Sequence, residues 1–170
     1  MTVSLSAVAQ QRPNFSGEWT RVDQADRQSV AATGDAAFAS GSMGSGWGSP
    51  ITIRQDSSRI IIEYPVFSAY DLQPPLRFVY ALDGSQSRNS VMIGHATSQQ
   101  RSRVAWRDST LVITTTYPTP ELGAGNATAE VRQALTLESP TTLVLETTRS
   151  GVPGAAANVT RTVFTKGAPR

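Results

Sequence analysis

The stretch Arg103-Val104-Ala105-Trp106-Arg107-Asp108-Ser109-Thr110-Leu111-Val112-Ile113-Thr114-Thr115-Thr116-Tyr117 decides the fold. Leu111, Ile113, Thr115 and Tyr117 alternate with Val112, Thr114 and Thr116, a period of two. A helix would repeat its apolar residues three and four apart. Arg107-Asp108-Ser109 is a polar turn between two β-rich runs, so the stretch predicts a hairpin. The same unit recurs along the chain. Leu76, Phe78, Tyr80 and Leu82 alternate with Arg77, Val79 and Ala81, and Asp83-Gly84 follows, a pair that tolerates positive φ. Asp56-Ser57-Ser58 separates Ile51–Gln55 from Arg59–Tyr64. Glu138-Ser139-Pro140 separates Val131–Leu137 from Leu143–Thr148. Thr114, Thr116, Thr147 and Thr148 suit a pleated surface and are expected to touch water.

Local hairpins in succession predict an all-β chain, a single antiparallel up-and-down β-barrel of about eight to ten strands. Closure removes the exposed edges that an open meander would present. The exception is Gln24 to Pro50, rich in Ala, Gly and Ser. It predicts a long loop after the first strand, or one short helix within Gln24–Ala39. Gly41 to Gly48 is too glycine-rich for regular structure. Met43 and Trp47 within it need apolar surroundings, as a loop that closes over a cavity would provide.

Composition narrows the function. Of 170 residues, 16% are charged, against about 25% in soluble proteins generally. Fifteen basic and thirteen acidic residues leave a net charge of +2, and Lys166 is the single lysine. The pI of 9.4 reflects that near balance. Clustered Lys/Arg interleaved with aromatics, the footprint of a nucleic-acid binder, is absent from the sequence. With no cysteine, disulfides, thiolate metal sites and cysteine nucleophiles are excluded. No run of about 18 apolar residues offers a helical membrane span.

Ser6-Ala7-Val8-Ala9-Gln10 contains an A-x-A pattern of the type cut by signal peptidase. It is read either as the tail of a secretory signal peptide or as an ordinary end rich in small residues. The polar Gln10-Gln11-Arg12-Pro13 that follows favours the first. Residues 1–13 are thus expected to be a signal-peptide remnant or flexible tail, and residues 14–170 the barrel domain, secreted or periplasmic.

Asn14-Phe15-Ser16-Gly17-Glu18-Trp19 resembles the G-x-W opening of the lipocalins, and more broadly that of small secreted bacterial proteins which begin with Asn-Phe-Ser-Gly-x-Trp. The latter likeness extends over Trp106–Ile113, Leu135–Val144 and Arg161–Lys166. It implies a lipocalin-like, calycin-like barrel and an exported protein, but no activity. The lipocalin resemblance implies that Trp19 plugs one end of the barrel beneath a basic residue of a late strand. Arg161 is the expected partner.

No catalytic constellation stands out. His95 is the only histidine, and as a general base it would need Asp71 or Glu63 from another strand. G-x-S-x-G is absent. Gly44, Gly46 and Gly48 precede a strand rather than a helix, so they do not form a phosphate-binding loop. Arg101, Arg103 and Arg107 share one strand face, read as the solvated outside of the sheet. Tyr64, Tyr80, Tyr117, Gln133 and Arg149 place polar tips among apolar strand residues, as a pocket for an amphipathic ligand requires. The leading expectation is a barrel that binds a small apolar or amphipathic molecule without cofactor or metal, closed by Met43 and Trp47, with Trp47 partly exposed when empty. The alternatives are an enzyme using His95 and Asp71 as acid and base, and an envelope protein whose barrel is filled by side chains. Oligomeric state is left open.

Overall fold

Period-two alternation and polar turns produce ten strands among the described residues. The computed structural model describes residues 12–22, 47–65, 75–93, 96–118, 128–151 and 157–167. The strands are β1 (Gly17–Arg21), β2 (Ile51–Gln55), β3 (Arg59–Tyr64), β4 (Leu76–Ala81), β5 (Ser87–Ile93), β6 (Ala96–Arg107), β7 (Thr110–Pro118), β8 (Thr128–Ser139), β9 (Thr142–Ser150) and β10 (Asn158–Lys166). They form one antiparallel sheet in the order β4-β3-β2-β1-β10-β9-β8-β7-β6-β5. The first and last strands pair, Trp19 opposite Lys166, and the sheet curls into a nearly closed up-and-down barrel. The segment expected to hold a helix, Gln24–Ala39, lies outside the described residues.

A meander of this kind puts alternate connections at alternate ends. The short turns at 56–58, 82–86, 108–109 and 140–141 fall at one end, here the turn end. The connections after β1, β3, β5, β7 and β9 leave from the opposite, loop end. Side chains shape the turns. Asp56 accepts from the Ser58 hydroxyl (2.7 Å), the Ser58 amide (2.7 Å) and the Arg59 amide (2.9 Å), an Asx arrangement that closes the β2–β3 hairpin. These bonds, the Ser58 hydroxyl foremost, hold its carboxyl well below the usual carboxylate range. Asp108 takes φ 53° in the β6–β7 turn, a conformation that Asp tolerates better than most residues. Leu82 N donates to Ser58 O at 2.8 Å and ties two turns together.

Residues before β1 cross the turn end. Phe15 is fully buried and stacks on Trp106 with ring centroids 6.0 Å apart. Gln55 clamps the same segment. Its Oε1 accepts from Phe15 N at 3.0 Å, its Nε2 donates to Pro13 O at 3.1 Å and its backbone N donates to Ser16 Oγ at 3.0 Å. Arg12 lies over the Trp106 ring, 5.4 Å from the centroid.

The strand registers arrange the inner face in cross-strand rows. One row, Leu145, Leu135, Leu111 and Trp106, is apolar. Ile51, Ile53, Ile60, Ile62, Phe78, Tyr80, Leu143 and Phe164 join it in one continuous buried cluster. Each such side chain stabilises the fold by about 1.5–3 kcal/mol relative to exposure.

Candidate functional site

Moving along the strands from the apolar rows towards the loop end, the inner face turns polar. The next row is Thr160, Thr147, Gln133, Ile113 and Val104, and the one after it Arg149, Val131, Thr115 and Ser102. Thr147 is 1% exposed, Gln133 4% and Ser102 1%. Ser102 and Thr115 bond each other through their hydroxyls at 2.8 Å. Thr147 Oγ1 and Thr160 Oγ1 are buried and have no hydrogen-bond partner. These two residues face each other across the β9–β10 ladder, and Thr147 faces Gln133 across β8–β9. The result is a polar band set against an apolar floor.

Thr147 was expected to touch water; the structure turns it inward. It shares strand parity with Leu143 and Leu145, which point into the core, while Thr148 falls on the other face. In composition Thr147 and Thr148 form one threonine-rich pair. Parity with the two leucines was the signal that could have separated them.

The aromatic and polar candidates are divided rather than gathered. Tyr80 is buried in the apolar cluster beside Phe78, their centroids 6.4 Å apart. Tyr64 is half-buried and stacks on the other side of Phe78 at 5.9 Å. Gln133 and Arg149 belong to the polar rows, Arg149 half-buried opposite Val131. Tyr117 stands opposite Ala129 on β7, and its side chain lies outside what is described. Met43, Asp71 and His95 also lie outside the described residues.

Trp47 corrects the expectation of a partly exposed loop residue. It is 6% exposed and belongs to the buried cluster. A Cβ at the neighbouring Gly48 would come within 2.9 Å of the Tyr64 ring. The end of the glycine-rich stretch thus packs against the barrel as it enters β2.

The pairing of Trp19 with Arg161 is corrected too. Trp19 is fully buried, and its Nε1 donates to Phe15 O at 2.9 Å. The cation over its ring is Lys166, 5.3 Å from the centroid. Arg161 binds Glu138 at 2.6 Å on the outer surface. Strand parity explains the exchange: on β10, Thr162, Phe164 and Lys166 point inward and Arg161 outward. Gly17 makes room for the lysine. Its φ is 150°, and a Cβ there would collide with Lys166 Cε.

On the outer face, Val112 and Val144 floor an open groove of ≈ 410 Å3. Arg132, Arg161, Glu138 and Glu146 are among the groove's lining residues, and the Arg161–Glu138 pair is already formed. Arg101, Arg103 and Arg107 are exposed. Among the described residues, no three His, Cys, Asp or Glu side chains are grouped to hold a metal, and no helix is long and apolar enough to cross a membrane. Compared with known proteins, the chain matches no family model, no curated protein and no solved structure.

Proposed function

We propose that this barrel is a binding module for a small amphipathic molecule, calycin-like in plan. The single observation behind the reading is the Thr147 hydroxyl, buried and without a partner beside Thr160 and Gln133. A buried hydroxyl without a hydrogen bond costs roughly 1–3 kcal/mol. Valine has nearly the same shape and avoids that cost. A threonine there is accounted for by a bond to a polar group of a bound molecule. On this reading the apolar part of the ligand lies against Ile113 and Val104, and its polar end meets Thr147, Thr160 and Gln133.

The test is titration with 1-anilinonaphthalene-8-sulfonate, alongside native mass spectrometry of freshly purified protein. Saturable binding at one site is expected. Thr147→Val should weaken it by about tenfold, the equivalent of one hydrogen bond, while thermal stability holds or rises because an unpartnered hydroxyl has been removed. Opposite signs in binding and stability separate a ligand contact from a packing role. Unchanged affinity in Thr147→Val, or no probe binding at all, overturns the reading in favour of a filled barrel.

Export belongs to the same proposal, supported by the A-x-A pattern at Ala7–Ala9 and the opening Asn14–Trp19. N-terminal sequencing of the exported protein should begin near Gln10. An intact Met1 in the exported fraction overturns that part.

A further inference from the structure

The sheet closes on itself at one place without a backbone ladder. Nine neighbouring strand pairs are joined by antiparallel ladders, whereas β4 and β5, consecutive in sequence, stand at the two ends of the sheet order. Side chains bridge them instead. Val79 N donates to Asn89 Oδ1 at 2.8 Å, and Asn89 Nδ2 donates back to Val79 O at 3.1 Å. Below this pair, Ala81 N donates to Ser87 Oγ at 2.8 Å. Asn89 thus presents its amide to Val79 as a neighbouring peptide unit would. It is itself 5% exposed.

An inserted side chain holds two backbones further apart than the roughly 4.7–4.9 Å of a hydrogen-bonded sheet. It also concentrates the seam on a few bonds that break independently of the ladders. Ladder bonds are cooperative with their neighbours, and regions held by few bonds open at lower cost. Inside the barrel the seam is flanked by the apolar Phe78 and Tyr80 of β4 and, one strand beyond β5, by buried polar side chains of β6. Ser102 on β6 stands opposite Ser87, and Gln100, also buried, stands opposite Asn89.

We propose that the β4–β5 seam is a lateral gate into the barrel, with Asn89 as its latch: release of the Asn89–Val79 pair parts the two strands and admits small molecules beside Ser102, without unfolding the sheet and without passing the loop end. The gate is independent of what the barrel binds.

The chain has no cysteine, so a single introduced thiol reads access directly. Ser102→Cys places it behind the seam. Val112→Cys, buried on the outer face of mid-sheet, places it where the barrel interior does not lead. Asn89→Leu keeps the volume and removes both latch bonds, worth roughly five- to hundredfold in an opening equilibrium. Iodoacetamide should therefore label Ser102→Cys at least about fivefold faster when Asn89→Leu is added, with little change at Val112→Cys. Equal acceleration at both thiols means that the whole barrel has loosened, and overturns the proposal. So does no acceleration at either. Should Asn89→Leu not fold, Ser87→Ala, which removes only the acceptor of Ala81 N, should show the same contrast at smaller size. In the unmodified chain, hydrogen exchange followed by NMR should find the Val79 and Ala81 amides exchanging faster than those of Val112 and Ile113 in mid-sheet. Equal protection overturns the gate.

Discussion

Trp19→Ala is expected to cost about 3–5 kcal/mol of stability, the range for emptying a large aromatic site in a packed core. Trp19 has no exposed surface. It touches three elements at once: its own strand, the Phe15 carbonyl through Nε1, and Lys166 on the last strand. Deleting the ring therefore leaves a void where the first and last strands of the chain pair in mid-sheet, and the surrounding ladders limit collapse into it. Urea unfolding midpoints at constant m-value measure the loss. The two basic residues of β10 provide the control. Lys166→Ala should change the near-ultraviolet circular dichroism of the tryptophans and cost about 0.5–1 kcal/mol, as a cation–π contact near the surface does. Arg161→Ala should leave that spectrum untouched. Arg161 and Glu138 are half exposed at 52% and 51%, and such pairs contribute only about 0–1 kcal/mol. A tryptophan signal that responds to Arg161 and not to Lys166 would show the assignment to be wrong.

Phe15→Ala should be comparably severe, about 3–5 kcal/mol, although Phe15 belongs to no strand. It is fully buried against Trp106, its amide is held by Gln55 and its carbonyl by Trp19. The segment therefore closes the turn end by side-chain docking rather than by a ladder. Gln55→Ala removes the clamp from the same segment, so the two substitutions share one docking event. Once Phe15 is lost, further loss at Gln55 should cost little, and the double mutant should be less destabilised than the sum of the singles. Costs that add within about 0.5 kcal/mol would mean that the segment does not dock as a unit.

Much of the fold is legible in short sequence windows because a strand obeys a local rule. Alternation assigns sides, and Asp56-Ser57-Ser58, Asp83-Gly84 and Arg107-Asp108-Ser109 mark reversals through the bonds and dihedrals of their own residues. The polar band was less legible. Thr147 and Thr148 look equivalent in composition, and only counting from Leu143 and Leu145 separates them. Val112 and Val144 interrupt alternation altogether: each is apolar, buried and on the outer face, where the long side chains of the groove surround it. A window reading Leu-Val-Ile or Leu-Val-Leu does not say which residue lies inside.

The sequence by itself determined the class of fold, most strand positions (β5 excepted), the turns and the exclusion of thiol chemistry, since each depends on composition or on residues close together along the chain. The tertiary structure alone decided which cation covers Trp19, which threonine hydroxyls meet in the interior and where the barrel is latched. Lys166 rather than Arg161 sits on Trp19 because β1 and β10, at opposite ends of the chain, pair in one particular register. Asn89 meets Val79 because the last gap in the sheet falls between β4 and β5. Registers between distant strands, and the place where a closing sheet fails to complete its ladder, are set by the packing of the whole barrel. No local pattern of residues encodes them.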